Sequence, residues 1–201
     1  MTFAETSMKR PSAFKNVQTK YQAHSRARRE LIARSSDALS KSKRAIFALH
    51  RDDQKGAQEF LASAAKQFGA IEKTFRSIAE LRDEGSYRAA LEEYAEGRLF
   101  AGFLEHGKIV ALEARANAPS IYLAGLADTT GELVRYATRQ VTLGHPEVLQ
   151  EVQETVSMVI EFMLDLDLTG YLRTKFDQAK KNLSRLEQMT YDLAIGRRGS
   201  V

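Results

Sequence analysis

Residues 91–107 read LEEYAEGRLFAGFLEHG. The run is helical in character, and two of its acids lie on its greasy side. With Glu93 set at zero and about 100° per residue, Ala89, Ala90, Gly97, Phe100 and Leu104 fall within about 60° of it. Glu96 lies about 60° to one side, toward Leu99 and Phe103, and the opposite side carries Arg98 and Gly102. Glu93, and less sharply Glu96, therefore occupy positions where a core or interface residue is expected. Burying an unpaired carboxylate costs several kcal/mol or forces it to take up a proton.

A second pair stands in residues 121–139, IYLAGLADTTGELVRYATR. Asp128 and Glu132 are spaced i, i+4 on one stripe with Arg135 and Arg139, while Leu123, Leu126, Leu133, Ala137 and Val141 take the far side. Alone, this stripe reads first as an ordinary solvated face with i, i+3 pairing. If the two helices pack antiparallel at about 8–10 Å, Glu93 and Glu96 face Asp128 and Glu132 and four anions converge. Such a cluster needs a counter-charge, and a hard divalent cation such as Mg²⁺ or Mn²⁺ prefers oxygen ligands. Arg135 and Arg139 are placed to hold a phosphate against it.

Other chemistries find little support. There is no cysteine, so disulfides, thiolate zinc sites and cysteine nucleophiles are excluded. Four scattered histidines do not make a zinc site. No Ser/His pair is in evidence. His106, at a helix end, reads first as a cap near the C-terminal dipole. Tyr94, Tyr87 and Tyr122 read as packing residues.

These acids need long helices to position them. The chain has 201 residues, enough for one domain with a substantial core. Its periodicity predicts an all-α bundle of six to seven long antiparallel helices and no strand. The expected helices cover about 13–50, 56–82, 87–106 (capped by Ser86 and stopped by Gly107), a short 108–116, 119–143 with Pro119 in its first turn, 146–166 and 171–195. Residues 1–12 read as a flexible leader, 13–196 as a single domain, and 197–201 as a loose tail. No apolar run approaches the roughly 20 residues of a membrane span. Cysteine absence is compatible with a cytoplasmic setting.

Charge is unevenly spread. Residues 1–51 carry 12 Lys/Arg against 3 Asp/Glu, and the remainder 18 against 23, for a total of +4. A basic first quarter suggests an anionic partner, with nucleic acid first and a membrane surface second. Lys20, Arg26, Arg28, Arg29, Arg34, Lys41, Lys43 and Arg44 on the first helix, with Arg135 and Arg139, are the candidate contacts to a nucleic-acid backbone; such contacts are sequence-independent and salt-sensitive.

The segments Glu93-Tyr94-Ala95-Glu96 with Phe100 and Phe103-Leu104, YLAGLADTTGELVR over 122–135, and LSRLEQMTYDLAI over 183–195 resemble the translin/TRAX family. The resemblance spans most of residues 87–195 and is closest to the TRAX-like subunits (translin-associated factor X) of prokaryotic or archaeal type. It implies a seven-helix fold, a homo-oligomer of octameric kind, binding of single-stranded or structured RNA or of DNA, and Mg²⁺-dependent endoribonuclease activity. It also implies that the catalytic acids fall on Glu93, Glu96, Asp128 and Glu132, with Glu132 completing the site or orienting the attacking water. Two other readings stay open: a non-catalytic RNA- or DNA-binding protein whose acids pair with basic side chains, and a helical module that only oligomerises.

Overall fold

The computed structural model describes residues 11–198. The expected leader at 1–12 and tail at 197–201 lie mostly outside them. Six α-helices and no strand are found among the described residues: α1 (Ser12–Leu49), α2 (Gln54–Thr74), α3 (Gly85–His106), α4 (Pro119–Thr142), α5 (Val148–Leu164) and α6 (Gly170–Arg198). The all-α expectation holds. None of these helices is long and apolar enough to cross a membrane.

Local chemistry sets most boundaries. Asp53 caps α2 by accepting from the Gly56 N–H at 2.9 Å. Gly107 stops α3 with φ +65°, a left-handed conformation that glycine adopts without penalty. Pro119 opens α4, where its missing N–H costs nothing. Three expectations need correction. The second helix ends at Thr74, and a short 3-10 turn (Ala79–Asp83) follows. Ser86 does not cap α3; the N-cap is Glu84, without a side-chain cap, and the Ser86 hydroxyl is buried with no partner. No helix forms at 108–116, apart from a turn near Ala114–Ala116.

That last segment decides the topology. Consecutive helices run antiparallel except α3 and α4, so the antiparallel pairing expected for the two acid-bearing helices is corrected to a parallel one. Moving up α3, Arg88 meets Ser120, Ala95 meets Gly125, and Phe103 meets Tyr136, so both chains rise together. A parallel pair needs a return path as long as the helix. The 22 residues of α3 rise roughly 33 Å, and residues 108–118, extended, reach roughly 36 Å. The return strap lies on α3: Val110 fills the space left by Gly102, Glu113 accepts from the Tyr94 hydroxyl, and Arg115 donates to the Ala65 carbonyl at 2.8 Å. Gly102, expected on the solvent side of its helix, is buried under this strap.

The molecule is thus two up-down-up units, α1–α2–α3 and α4–α5–α6, laid side by side. Within each unit the outer helices also run parallel: Arg28 meets Glu84 and His50 meets Phe100 in the first, and Thr130 meets Asn182 and Thr138 meets Met189 in the second. Phe68 anchors the first core, with Tyr87 and Tyr94 edge-on at 6.0 and 5.4 Å. Fully buried Phe100, Leu99 and Leu133 fill the seam between units, each worth about 1.5–3 kcal/mol of apolar transfer.

Candidate metal and nucleic-acid site

The four acids lie at this seam. The two helices touch at Gly125: a Cβ there would stand 2.7 Å from the Ala95 Cβ and 3.0 Å from the Glu96 nitrogen. Only a residue without a side chain lets α4 come so close, and the approach presses Glu96 inward. Glu96 is buried at 9% relative exposure, whereas Glu93 is half-buried. The sequence pattern ranked them in the opposite order, because one helical wheel cannot anticipate that α3 is covered by α1, α2, α4 and the strap at once. Asp128 and Glu132 are half-buried too, so their stripe is not a solvated face.

Burial and mutual repulsion act on Glu93, Glu96 and Asp128. Burial pushes Glu96 up to about 9, and the charges of Glu93, Asp128 and Glu132 add to it while Lys175 opposes. Glu93 is raised by burial and by Asp128 and Glu132, against the pull of Lys43 and Lys175. Asp128 is raised by burial despite its hydrogen bond from Lys175. Glu96 makes no hydrogen bond or ion pair with another side chain among the described residues.

Two side chains that sequence reasoning missed hold the other acids. His50 Nε2 meets Glu132 Oε2, and Lys175 Nζ meets Asp128 Oδ2. His50 is 5% exposed, with its ring 4.8 Å from Phe100 and its Nδ1 buried without a partner. Lys175 loses solvation on burial, yet its hydrogen bonds to Asp128 and Tyr171 raise its pKa. Tyr171 in turn donates to Glu92 at 2.6 Å. Nothing local marks His50 or Lys175; their partners are 82 and 47 positions away. With Asp128 and Glu132 so tied, no three acid or imidazole groups among the described residues converge on one point. The donor chemistry still fits a hard cation: four carboxylates, no thiolate, and two of the carboxyls, Glu93 and Glu96, without a hydrogen bond or ion pair among the described residues.

The structure sorts the ten candidate nucleic-acid contacts. Arg28 is held by Glu84 in a two-pronged pair at 2.7 and 3.1 Å, and Arg139 by Asp52 at 2.7 and 3.3 Å. Arg34 is taken by Glu30 and Gln67, Lys41 by Asp37, and Arg29 by Ser25. These five guanidinium and ammonium groups stabilise the bundle surface, so they are poorer phosphate ligands than the sequence implied. Lys20, Arg26, Lys43 and Arg44 are exposed without an ion pair among the described residues. Arg135 lies 3.7 Å from Glu132 and 5.0 Å over the Phe47 ring. His106 sits exposed at the end of α3 beside Glu105, away from the acids, and Tyr94 packs in the core.

Known proteins share this fold. Residues 26–197 match the model of the translin family. Translin-associated protein X from Pongo abelii, Rattus norvegicus and Mus musculus is 26% identical over 230 positions, covering 94% of this chain and 79% of each relative. Among solved structures, apo-NeC3PO superposes with a TM-score of 0.81 at 19% identity, over 90% of this chain and 97% of that one. AfC3PO gives 0.77 at 20% identity, over 92% and 98%, and its complex with duplex RNA gives 0.78 with the same identity and coverage. With the motifs on α3 and α4 falling inside the matched region, the chain belongs to the translin family.

Proposed function

We propose that this protein is an RNA-binding, divalent-cation-dependent endoribonuclease of TRAX-like type, working as a homo-oligomer. One observation carries the reading: Glu96 is a buried carboxyl without a partner, placed among three further acids at a backbone-to-backbone helix contact. A purely structural role gives no return for that arrangement, which costs folding stability at neutral pH. The likeness to Translin-associated protein X and to C3PO structures, one of them with duplex RNA, supports the same direction.

Glu93, Glu96 and Asp128 would hold Mg²⁺ or Mn²⁺, with Glu132 beside them. A divalent cation held there supplies charge neutralisation at a phosphodiester and a nucleophile at neutral pH. The chain's own groups do the rest. His50 fixes one oxygen of Glu132, leaving the other to accept a proton from the attacking water. Lys175 neutralises Asp128 and would offer its ammonium to a phosphate bound beside that carboxylate. Lys43 and Arg44 hold the strand at the rim.

The test is cleavage of a labelled RNA oligonucleotide with Mg²⁺, Mn²⁺ or EDTA, by wild type and by Glu96→Gln. Cation-dependent cutting lost in the variant is expected. A second reading rests on a specific observation: Lys175 and His50 satisfy two of the acids without any metal. A non-catalytic RNA- or DNA-binding protein would bind tightly and cut nothing under any of these conditions.

A further inference from the structure

Phe47 has no role in the fold. It is 56% exposed near the end of α1, although its neighbours Ile46 and Leu49 are buried. It lines a shallow groove of about 530 Å³ with Lys43, Arg44, Arg51, Leu39 and Phe60. This lining holds three cations and no acid. The Arg135 guanidinium stands over one face of the ring, 5.0 Å from its centroid. On α1, Phe47 lies about 40° from Lys43 and about 60° from His50, within one turn of each. Lys43 acts on Glu93, and His50 holds Glu132. An exposed aromatic ring therefore lies in the basic groove, on the same last turns of α1 as Lys43, whose charge acts on Glu93, and His50, which meets Glu132.

We propose that Phe47 is a base-stacking platform that takes one unstacked nucleobase of an RNA strand beside the acid cluster, with Lys43, Arg44 and Arg51 on the adjoining phosphates. This deepens the reading above and rests on it. A phenyl face is sequence-tolerant, since every base offers a π-surface, and it needs a base splayed out of a helix. The groove's uncompensated positive charge selects a polyanion, and its central ring selects one with planar bases. An acidic peptide would satisfy the charges and leave the ring exposed. The platform makes single-stranded or unpaired positions the ones delivered to the acids, whatever the sequence.

Binding measured in EDTA tests this without any cutting. The probe is a short oligoadenylate carrying one 2-aminopurine, followed by fluorescence and by titration at several salt concentrations, against wild type, Phe47→Ala, Phe47→Leu and Phe47→Trp. The ring is exposed, so all three variants are expected to fold. Phe47→Ala and Phe47→Leu should weaken binding about tenfold and remove the change in 2-aminopurine fluorescence that binding causes, and Phe47→Trp should retain both. The salt slope should stay unchanged in Phe47→Ala and flatten in Lys43→Gln. A fully paired RNA duplex should lose little affinity in Phe47→Ala. Wild-type-like binding by Phe47→Ala, full affinity in Phe47→Leu, or equal losses for duplex and single strand would each overturn the platform while leaving the nuclease reading intact. Wild type that binds no RNA at all would overturn both.

Discussion

Replacing Glu96 by Gln should make the metal-free protein more stable at neutral pH. The carboxyl titrates at about 9 in the folded chain, chiefly because burial disfavours its charge, against an ordinary value of 4.5. A group whose pKa is raised on folding leaves stability intact below its unfolded value, where both states are protonated. Stability then falls as pH rises from 4.5 toward 9, because the unfolded chain can release a proton that the folded chain must keep. At about 1.4 kcal/mol per pH unit, the loss by pH 7 is about 3 kcal/mol. Glutamine keeps the size and polarity of the neutral carboxyl but has no proton to lose. Urea unfolding in EDTA at fixed protein concentration should show Glu96→Gln within about 1 kcal/mol of wild type near pH 4 and about 3 kcal/mol more stable at pH 7. A variant equal to or weaker than wild type at pH 7, or a gap that does not widen with pH, would refute the claim that burial drives this carboxyl's titration.

Further outcomes follow from the same seam. At pH 7 a divalent cation entering the acid cluster should displace about one proton per chain from Glu96; calorimetry with Mn²⁺ in two buffers of different ionisation enthalpy measures it, and zero release would contradict the assignment. Gly125→Ala places a methyl 2.7 Å from the Ala95 Cβ and 3.0 Å from backbone, so it should cost about 1–3 kcal/mol in thermal or urea unfolding and weaken Mn²⁺ binding. Lys175→Met removes the ammonium that competes for Asp128; Mn²⁺ should bind more tightly to it than to wild type, and weaker binding would show that Lys175 supports the site. His50→Ala leaves Glu132 with only the more distant Arg135 and opens a gap beside Phe100, and should destabilise by about 1–3 kcal/mol, with His50→Gln recovering part of it.

Much of this was legible in the sequence, and the limits have physical causes. Six long helices, their punctuation at Gly107 and Pro119, and the anomalous acids of α3 could all be read from periodicity and capping chemistry. The direction of α4 could not. A strap with Ile109, Val110 and Leu112 looks locally like a short amphipathic helix, and only its packing on Gly102 and Tyr94 makes it extended. The burial order of Glu93 and Glu96 depends on which helix arrives at which side, a tertiary property. His50 and Lys175 were invisible for the same reason: each is an unremarkable residue until a distant acid is brought against it. The basic character of α1 was plain, but which cations remain available was not, since Glu84 and Asp52 lie on other elements and neutralise Arg28 and Arg139.

The strap also bears on the order in which the molecule assembles. The α3–α4 contacts across the strap close loops of about 30 residues, whereas those that tie α1 to α4, His50 to Glu132 and Arg139 to Asp52, close loops of about 80 to 90 and come late. Glu132 therefore waits longest for its partner, and a counter-ion available while it waits would act on the folding rate as well as on the finished site.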